Sequence, residues 1–299
     1  MWFKENAKVG LHEGPVQQIL ARLAPAFVDV PLAADPARGW LLTRDQGVTV
    51  DRAVPVGKQL PISLLAELVS DYARLQRRTL AAGPELLAAG LPSARPAETI
   101  PLLESTVSMV AGYPPNDARH LGPEDAGRLL AQRERLNRAA TLLATGPIGC
   151  TLQHNDLSPG NVFERQPEGH FRFFDFAESL WAHPFGSMLT VQWLLLNRFG
   201  RQPAANGPVD LSHKEILHVL RAYLSVWSDF GDADILEPLL AAALELAPLQ
   251  RVMAWLQVLD GAPDDVVAKH GATAKEWLLD LTRPVLLAGR GAGMSANGL

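Results

Sequence analysis

The pattern of apolar and polar positions changes character about a sixth of the way along the chain. Residues 2–4, Trp2-Phe3-Lys4, predict a short strand. Val16, Ile19, Leu20 and Leu23 recur at helical spacing and predict a helix over 11–23. Residues 27–30 predict a strand closed by Pro31, and residues 39–43 predict another, after a turn at Ala34-Asp35-Pro36. From Pro61 the periodicity is helical. Leu64, Leu65, Leu68, Val69, Tyr72 and Leu75 share one face. Gly122-Pro123 opens a helix predicted to run to about Leu143, with Pro123 and acidic residues in its first turn. Short strands are predicted over 161–164 and 170–174. Beyond Pro184 the prediction is nearly all helix: 184–199, 212–230, 233–260 and 273–288, followed by a flexible Gly-rich tail. The fold class is therefore α+β. A small β-rich N-lobe spans 1–55, a mainly helical C-lobe spans 56–290, and the tail spans 291–299.

Composition narrows the class of partner. The chain has 299 residues and a net charge of -5, with both signs interspersed and no basic stripe, which argues against nucleic acid. A lone cysteine, Cys150, excludes an internal disulfide, and no Cys/His cluster has zinc-site spacing. The N-terminus lacks the apolar core of a signal peptide. No run approaches the ~18 apolar residues of a membrane span. The expectation is a cytoplasmic protein without a membrane partner.

Chemistry concentrates in His154-Asn155-Asp156-Leu157-Ser158-Pro159-Gly160-Asn161. Phosphoryl transfer needs a carboxylate to orient the attacking hydroxyl and accept its proton, and oxygen ligands for magnesium. An Asp and an Asn five positions apart on one tight loop can serve both needs. Nineteen residues after Asp156, the apolar segment Phe171-Arg172-Phe173-Phe174 ends in Asp175, a carboxylate suited to magnesium. Order, spacing and predicted structure agree, which makes the pair stronger than either motif alone.

These residues resemble the aminoglycoside phosphotransferase / choline kinase-like family, which shares the two-lobed protein-kinase fold. Its His-Gly-Asp-x-x-x-x-Asn loop corresponds to 154–161, with Asn155 in place of the usual Gly, and its metal motif corresponds to Asp175-Phe176-Ala177. The resemblance implies a catalytic base at Asp156 buttressed by His154, and metal ligands for Mg2+ at Asn161 and Asp175. It implies a phosphate-binding lysine at Lys4 paired with Glu13. It also implies a hinge at 40–45, with Leu42, Thr43 and Arg44 beside the base of ATP or GTP. The expected reaction is transfer of the γ-phosphoryl group to a hydroxyl of a small molecule, which the sequence does not identify. The family begins with two strands and a phosphate-covering loop before the lysine strand. Here the lysine is residue 4, and a start codon assigned too late is the favoured explanation. A non-catalytic nucleotide-binding pseudokinase, or an inactive truncated fragment, is the alternative.

Other residues carry plainer expectations. His154 reads as a hydrogen-bonded structural histidine. Glu178 is either a substrate or metal contact or a solvated loop residue. Asp229, Asp232 and Asp234 read as capping and turn residues around Gly231 before they read as a cation site. Trp193, Trp227, Trp255 and Trp277 read as core, and Cys150 as a small buried apolar residue. The lysine strand is expected at an open sheet edge.

Overall fold

The computed structural model describes residues 1–204 and 207–287. The flexible tail expected over 291–299 lies outside the described residues. The N-terminal lobe is an antiparallel sheet of three short strands, β1 (Trp2–Glu5), β2 (Ala33–Asp35) and β3 (Trp40–Thr43), in the order β1-β3-β2. Helix α1 (Glu13–Leu23) follows a 3-10 turn at Lys8–Gly10. The register places Lys4 opposite Leu41 and Phe3 opposite Leu42. Strand alternation then puts Lys4 and Leu41 on one face and Phe3 and Leu42 on the other. As expected, β1 lies at an edge, and Trp2 and Phe3 are more than half exposed there.

The strand expected at 27–30 is not formed. The amides of Phe27 and Val28 both turn back to the Ala24 carbonyl (2.9 and 3.1 Å), which closes the end of α1. Both side chains are buried, so their apolar character reflects core packing rather than a ladder. The second strand is displaced to Ala33–Asp35, which takes up Ala34 and Asp35 of the expected turn, and the turn itself runs over 36–39.

A short helix α2 (Val50–Ala53) leads out of the N-terminal segment, and the C-terminal lobe opens on α3 (Ile62–Arg78). No Gly or Pro interrupts α3, its apolar positions share one face, and Arg77 and Arg78 sit favourably in its last turn. Leu65, Leu68 and Leu75 are fully buried, and truncating one of them to Ala should cost about 2–5 kcal/mol. Next come α4 (Gly83–Ala88), α5 (Thr99–Ala111), α6 (Pro123–Leu130) and α7 (Arg133–Thr145). The single helix expected from 122 to 143 is thus two. The Gln132 amide takes the Leu129 carbonyl at 2.9 Å, a tighter i to i-3 turn, before the helix restarts.

Two short antiparallel strand pairs carry the motif region: β4 (Thr151–Gln153) with β7 (Leu180–Ala182), and the hairpin of β5 (Val162–Phe163) with β6 (Arg172–Phe173). The remainder is helical: α8 (Met188–Arg198), α9 (Lys214–Ser225), α10 (Ala233–Leu259) and α11 (Asp264–Asp280), with a parallel pair of β8 (Val209–Asp210) and β9 (Val285–Leu286). The final helix begins nine residues before the predicted 273. Pro263 precedes it, and Asp264 and Asp265 occupy its first turn, where carboxylates favour a helix start. It ends at Asp280, ahead of β9.

Helix α10 is 27 residues long and, among the described residues, is the one helix long and apolar enough to cross a membrane. It is mostly buried, with α7 and α11 packed against it. Gln76 ties α3 to the motif region. Its amide donates to the Leu152 and Pro184 carbonyls (2.9 and 3.0 Å), and its oxygen accepts from the Tyr223 hydroxyl at 2.6 Å. Gln76 and Tyr223 are fully buried, so this satisfied network fixes where β4 ends and the loop after it begins.

Candidate functional site

The loop leaving β4 starts from a histidine that holds two chain segments together. His154 is fully buried, and burial holds its pKa below the usual histidine range despite the carboxylates of Asp156 and Asp175. Its Nε2–H donates to the Phe174 carbonyl at 3.0 Å. A neutral, inaccessible imidazole bonded to the residue before Asp175 is a strut between the two motifs.

Asn155 then turns the chain with φ +64°, a left-handed conformation that Asn tolerates better than most residues. Its side-chain amide donates to the Gln250 carbonyl at 3.3 Å. The next residue, Asp156, is about one-third exposed. Asn161 donates its amide to both the Asp156 carbonyl (2.9 Å) and the Asp156 carboxylate Oδ2 (3.1 Å). A 3-10 turn at Pro159–Asn161 closes the loop, and Thr190 holds the Leu157 carbonyl at 2.7 Å.

Pairing of Val162 with Phe173 carries Asn161 alongside the end of β6, where the Phe174 amide donates to the Asn161 carbonyl at 3.2 Å. Asp175 follows with φ +62°, again left-handed. Two non-glycine residues in this conformation cost of order 1–3 kcal/mol each, and they are the two that flank the site. The Asp175 carboxylate meets Lys4 Nζ at 2.5 Å, and Lys4 also meets Glu13 Oε2 at 2.8 Å. Burial would lower the Lys4 pKa, but the two carboxylates outweigh it and hold the ammonium above its ordinary value. Glu13 is almost fully buried at the start of α1, and burial pushes its carboxyl up against the opposing pull of Lys4. Its Oε1 accepts the Phe176 amide at 3.0 Å.

Lys4, Glu13 and Asp175 line one end of a cleft of about 470 Å³ between the lobes. Leu41 and Val48 from the N-terminal side and Phe163 and Phe174 from the hairpin supply its apolar walls; the two phenylalanine rings stack at 4.4 Å. Thr43 and Arg44 also line it. Leu42 does not: its side chain alternates to the opposite face of β3 from Leu41 and Thr43, and its carbonyl is taken by the Leu32 amide at 2.8 Å. The wall residue is Leu41. Strand β3 is paired on both sides, so main-chain groups available to a ligand begin near Arg44, at the exit of the strand.

The structure brings together Lys4, Glu13 and Asp175 in one cluster and Asp156 with Asn161 in another. It adds two residues. Arg251, on α10, pairs with Asp156 Oδ1 at 3.1 Å and with Glu178. Glu178 is therefore not a freely solvated loop residue, and burial raises its pKa against the pull of Arg251. No sequence signal marks Arg251: it stands 95 positions from Asp156 on a helix without a motif. The acidic residues near Gly231 have structural duties. Asp229 pairs with Arg77, and Asp232 caps α10 by accepting the Asp234 and Ile235 amides. Trp227 is fully buried, and Trp193, Trp255 and Trp277 pack partly buried against the core, as does Cys150.

No protein-family model matches the chain, and no curated protein matches it by sequence. Solved structures do match it. The GDP and kanamycin complex of APH(2")-IIia superposes with a TM-score of 0.56 at 17% identity, over 92% of this chain and 85% of that one. Macrolide 2'-phosphotransferase MphH from Brachybacterium faecium matches at 0.55 and 15% identity, over 91% and 83%. An ethanolamine kinase from Plasmodium vivax matches at 0.60 and 12% identity, over 92% and 75%. The small antiparallel N-terminal sheet and large helical lobe are thus the protein-kinase-like α+β fold of the aminoglycoside and macrolide phosphotransferases and the ethanolamine kinases.

Proposed function

We propose that this chain transfers the γ-phosphoryl group of ATP or GTP to a hydroxyl of a small molecule. The observation that carries the reading is the convergence of Lys4, Glu13 and Asp175 at one end of the interlobe cleft, joined through His154 to the loop bearing Asp156 and Asn161. A purine fits the apolar walls formed by Leu41, Val48, Phe163 and Phe174, with polar groups near Arg44 at its edge. Lys4 would hold the α- and β-phosphates while Glu13 keeps it aimed. Asp156 would align the acceptor hydroxyl for in-line attack and take its proton.

The donor chemistry fits Mg2+. Asn161 commits its amide nitrogen to Asp156, which leaves its oxygen for a cation, and Asp175 presents a carboxylate into the cleft. Among the described residues no three His, Cys, Asp or Glu side chains form a metal cluster, so phosphate and water oxygens would complete the shell. The bound ion would supply charge neutralisation across the phosphates. Some of the similar structures carry GDP, kanamycin or both, which supports a nucleotide and a small hydroxylic acceptor as the two substrates.

Thermal unfolding with saturating Mg-ATP or Mg-GTP tests the reading. Ligand at a hundred times its Kd should stabilise the protein by about 2.7 kcal/mol. A folded sample that neither nucleotide stabilises overturns it.

A further inference from the structure

We propose that Arg251 is a positioning residue that locks the Asn155–Asp156 turn against α10 and fixes the plane of the Asp156 carboxylate. The inference rests on the phosphotransfer reading for its catalytic half and on geometry alone for the rest. Arg251 is nine-tenths buried. One arm of its guanidinium, Nη2, meets Asp156 Oδ1 at 3.1 Å. The other, Nη1, donates to the Asn155 carbonyl at 3.2 Å and pairs with Glu178. From the same helix turn the Gln250 carbonyl accepts the Asn155 side-chain amide. The left-handed residue of the loop is therefore held from both its main chain and its side chain by α10.

The Asp156 carboxylate is held from two sides. Arg251 takes Oδ1 and Asn161 takes Oδ2, so the plane of the group cannot rotate without breaking a bond. Each oxygen keeps a second lone pair, which leaves room for a substrate hydroxyl. Glu178 balances the second half of the guanidinium charge, which a buried arginine requires. The planar fork is what allows one side chain to reach a carbonyl and two carboxylates in fixed directions. A lysine would keep the charge and lose the geometry. Misplacement of a catalytic group by about 1 Å can cost a hundredfold in rate.

The test uses the full chain with Mg-ATP and Mg-GTP, with water as the acceptor, so no acceptor need be known. In Arg251→Gln, kcat for nucleotide hydrolysis should fall about a hundredfold while nucleotide KM stays within about twofold. Arg251→Lys should recover part of the loss, to within about tenfold of wild type. Amide hydrogen exchange over 154–161 should quicken in Arg251→Gln. Should that variant fail to fold, Arg251→Lys carries the test, with lowered kcat and unchanged KM. Unchanged kcat together with unchanged exchange overturns the assignment. So does a loss shared equally by kcat and nucleotide binding, which marks general damage. A wild type that neither binds nor hydrolyses nucleotide overturns the phosphotransfer reading instead, and the exchange data then decide the clamp separately.

Discussion

Glu13 Oε1 accepts the main-chain amide of Phe176 at 3.0 Å while Glu13 Oε2 pairs with Lys4. One buried carboxylate in the N-terminal lobe thereby sets both the lysine and the residue that follows Asp175. Replacing Glu13 by Ala should leave the Phe176 amide and the Lys4 ammonium without that acceptor, at about 1–3 kcal/mol. Calorimetry should show a lower Tm, and nucleotide titration should show weakened binding in the same variant.

Asp156→Asn keeps the shape of the side chain and removes the proposed base. Phosphoryl transfer should fall by about 10²–10⁴, whereas Mg-nucleotide affinity by titration calorimetry should change little. Asp175→Asn should impair the magnesium-dependent part of nucleotide binding, seen as a smaller difference between affinities with and without the ion.

Asn155 stands at φ +64°, a left-handed conformation that Gly adopts without steric cost. Asn155→Gly relieves the backbone strain and loses one long hydrogen bond, so its stability should lie within about 0.5 kcal/mol of wild type. Asn155→Ala loses the bond and keeps the strain, and should be less stable than the Gly variant by about 1 kcal/mol or more. Urea unfolding of the two variants side by side checks the order.

His183 is buried, and burial pushes its pKa down to about 3; its Nδ1 accepts the Phe185 amide. The unfolded chain binds a proton near pH 6.5, so stability is fully present above that pH and is lost as pH falls toward 3. His183→Gln should remove up to about 1.4 kcal/mol per pH unit from the slope of stability between pH 4 and 6. Asp280, raised to about 6 by burial, acts in the opposite sense: its contribution is lost as pH rises from its unfolded value through 6. The comparison of variant with wild type, by urea midpoints, isolates the histidine.

The loop that carries Asp156 and Asn161 and the strand that carries Lys4 were legible because each is local. Asp156 and Asn161 share one loop, and Lys4 directly follows the two aromatic residues that open the strand. Residues 27–30 misled because a buried segment that closes a helix carries the same apolar letters as a strand. Leu41 and Leu42 are identical in type, and only the register with β1 decides which one faces the cleft. Arg251 was invisible for a different reason. Its partners are far away in sequence, and a buried arginine on an apolar helix looks like an interruption until both carboxylates are in place.

The contact between Lys4 and Asp175 also bears on how fast a nucleotide arrives. In this arrangement the ammonium is already neutralised across the cleft, at 2.5 Å. An incoming triphosphate therefore exchanges one ion pair for another and does not meet a bare cation. Association should accordingly depend only shallowly on ionic strength, since little long-range attraction is left for salt to screen.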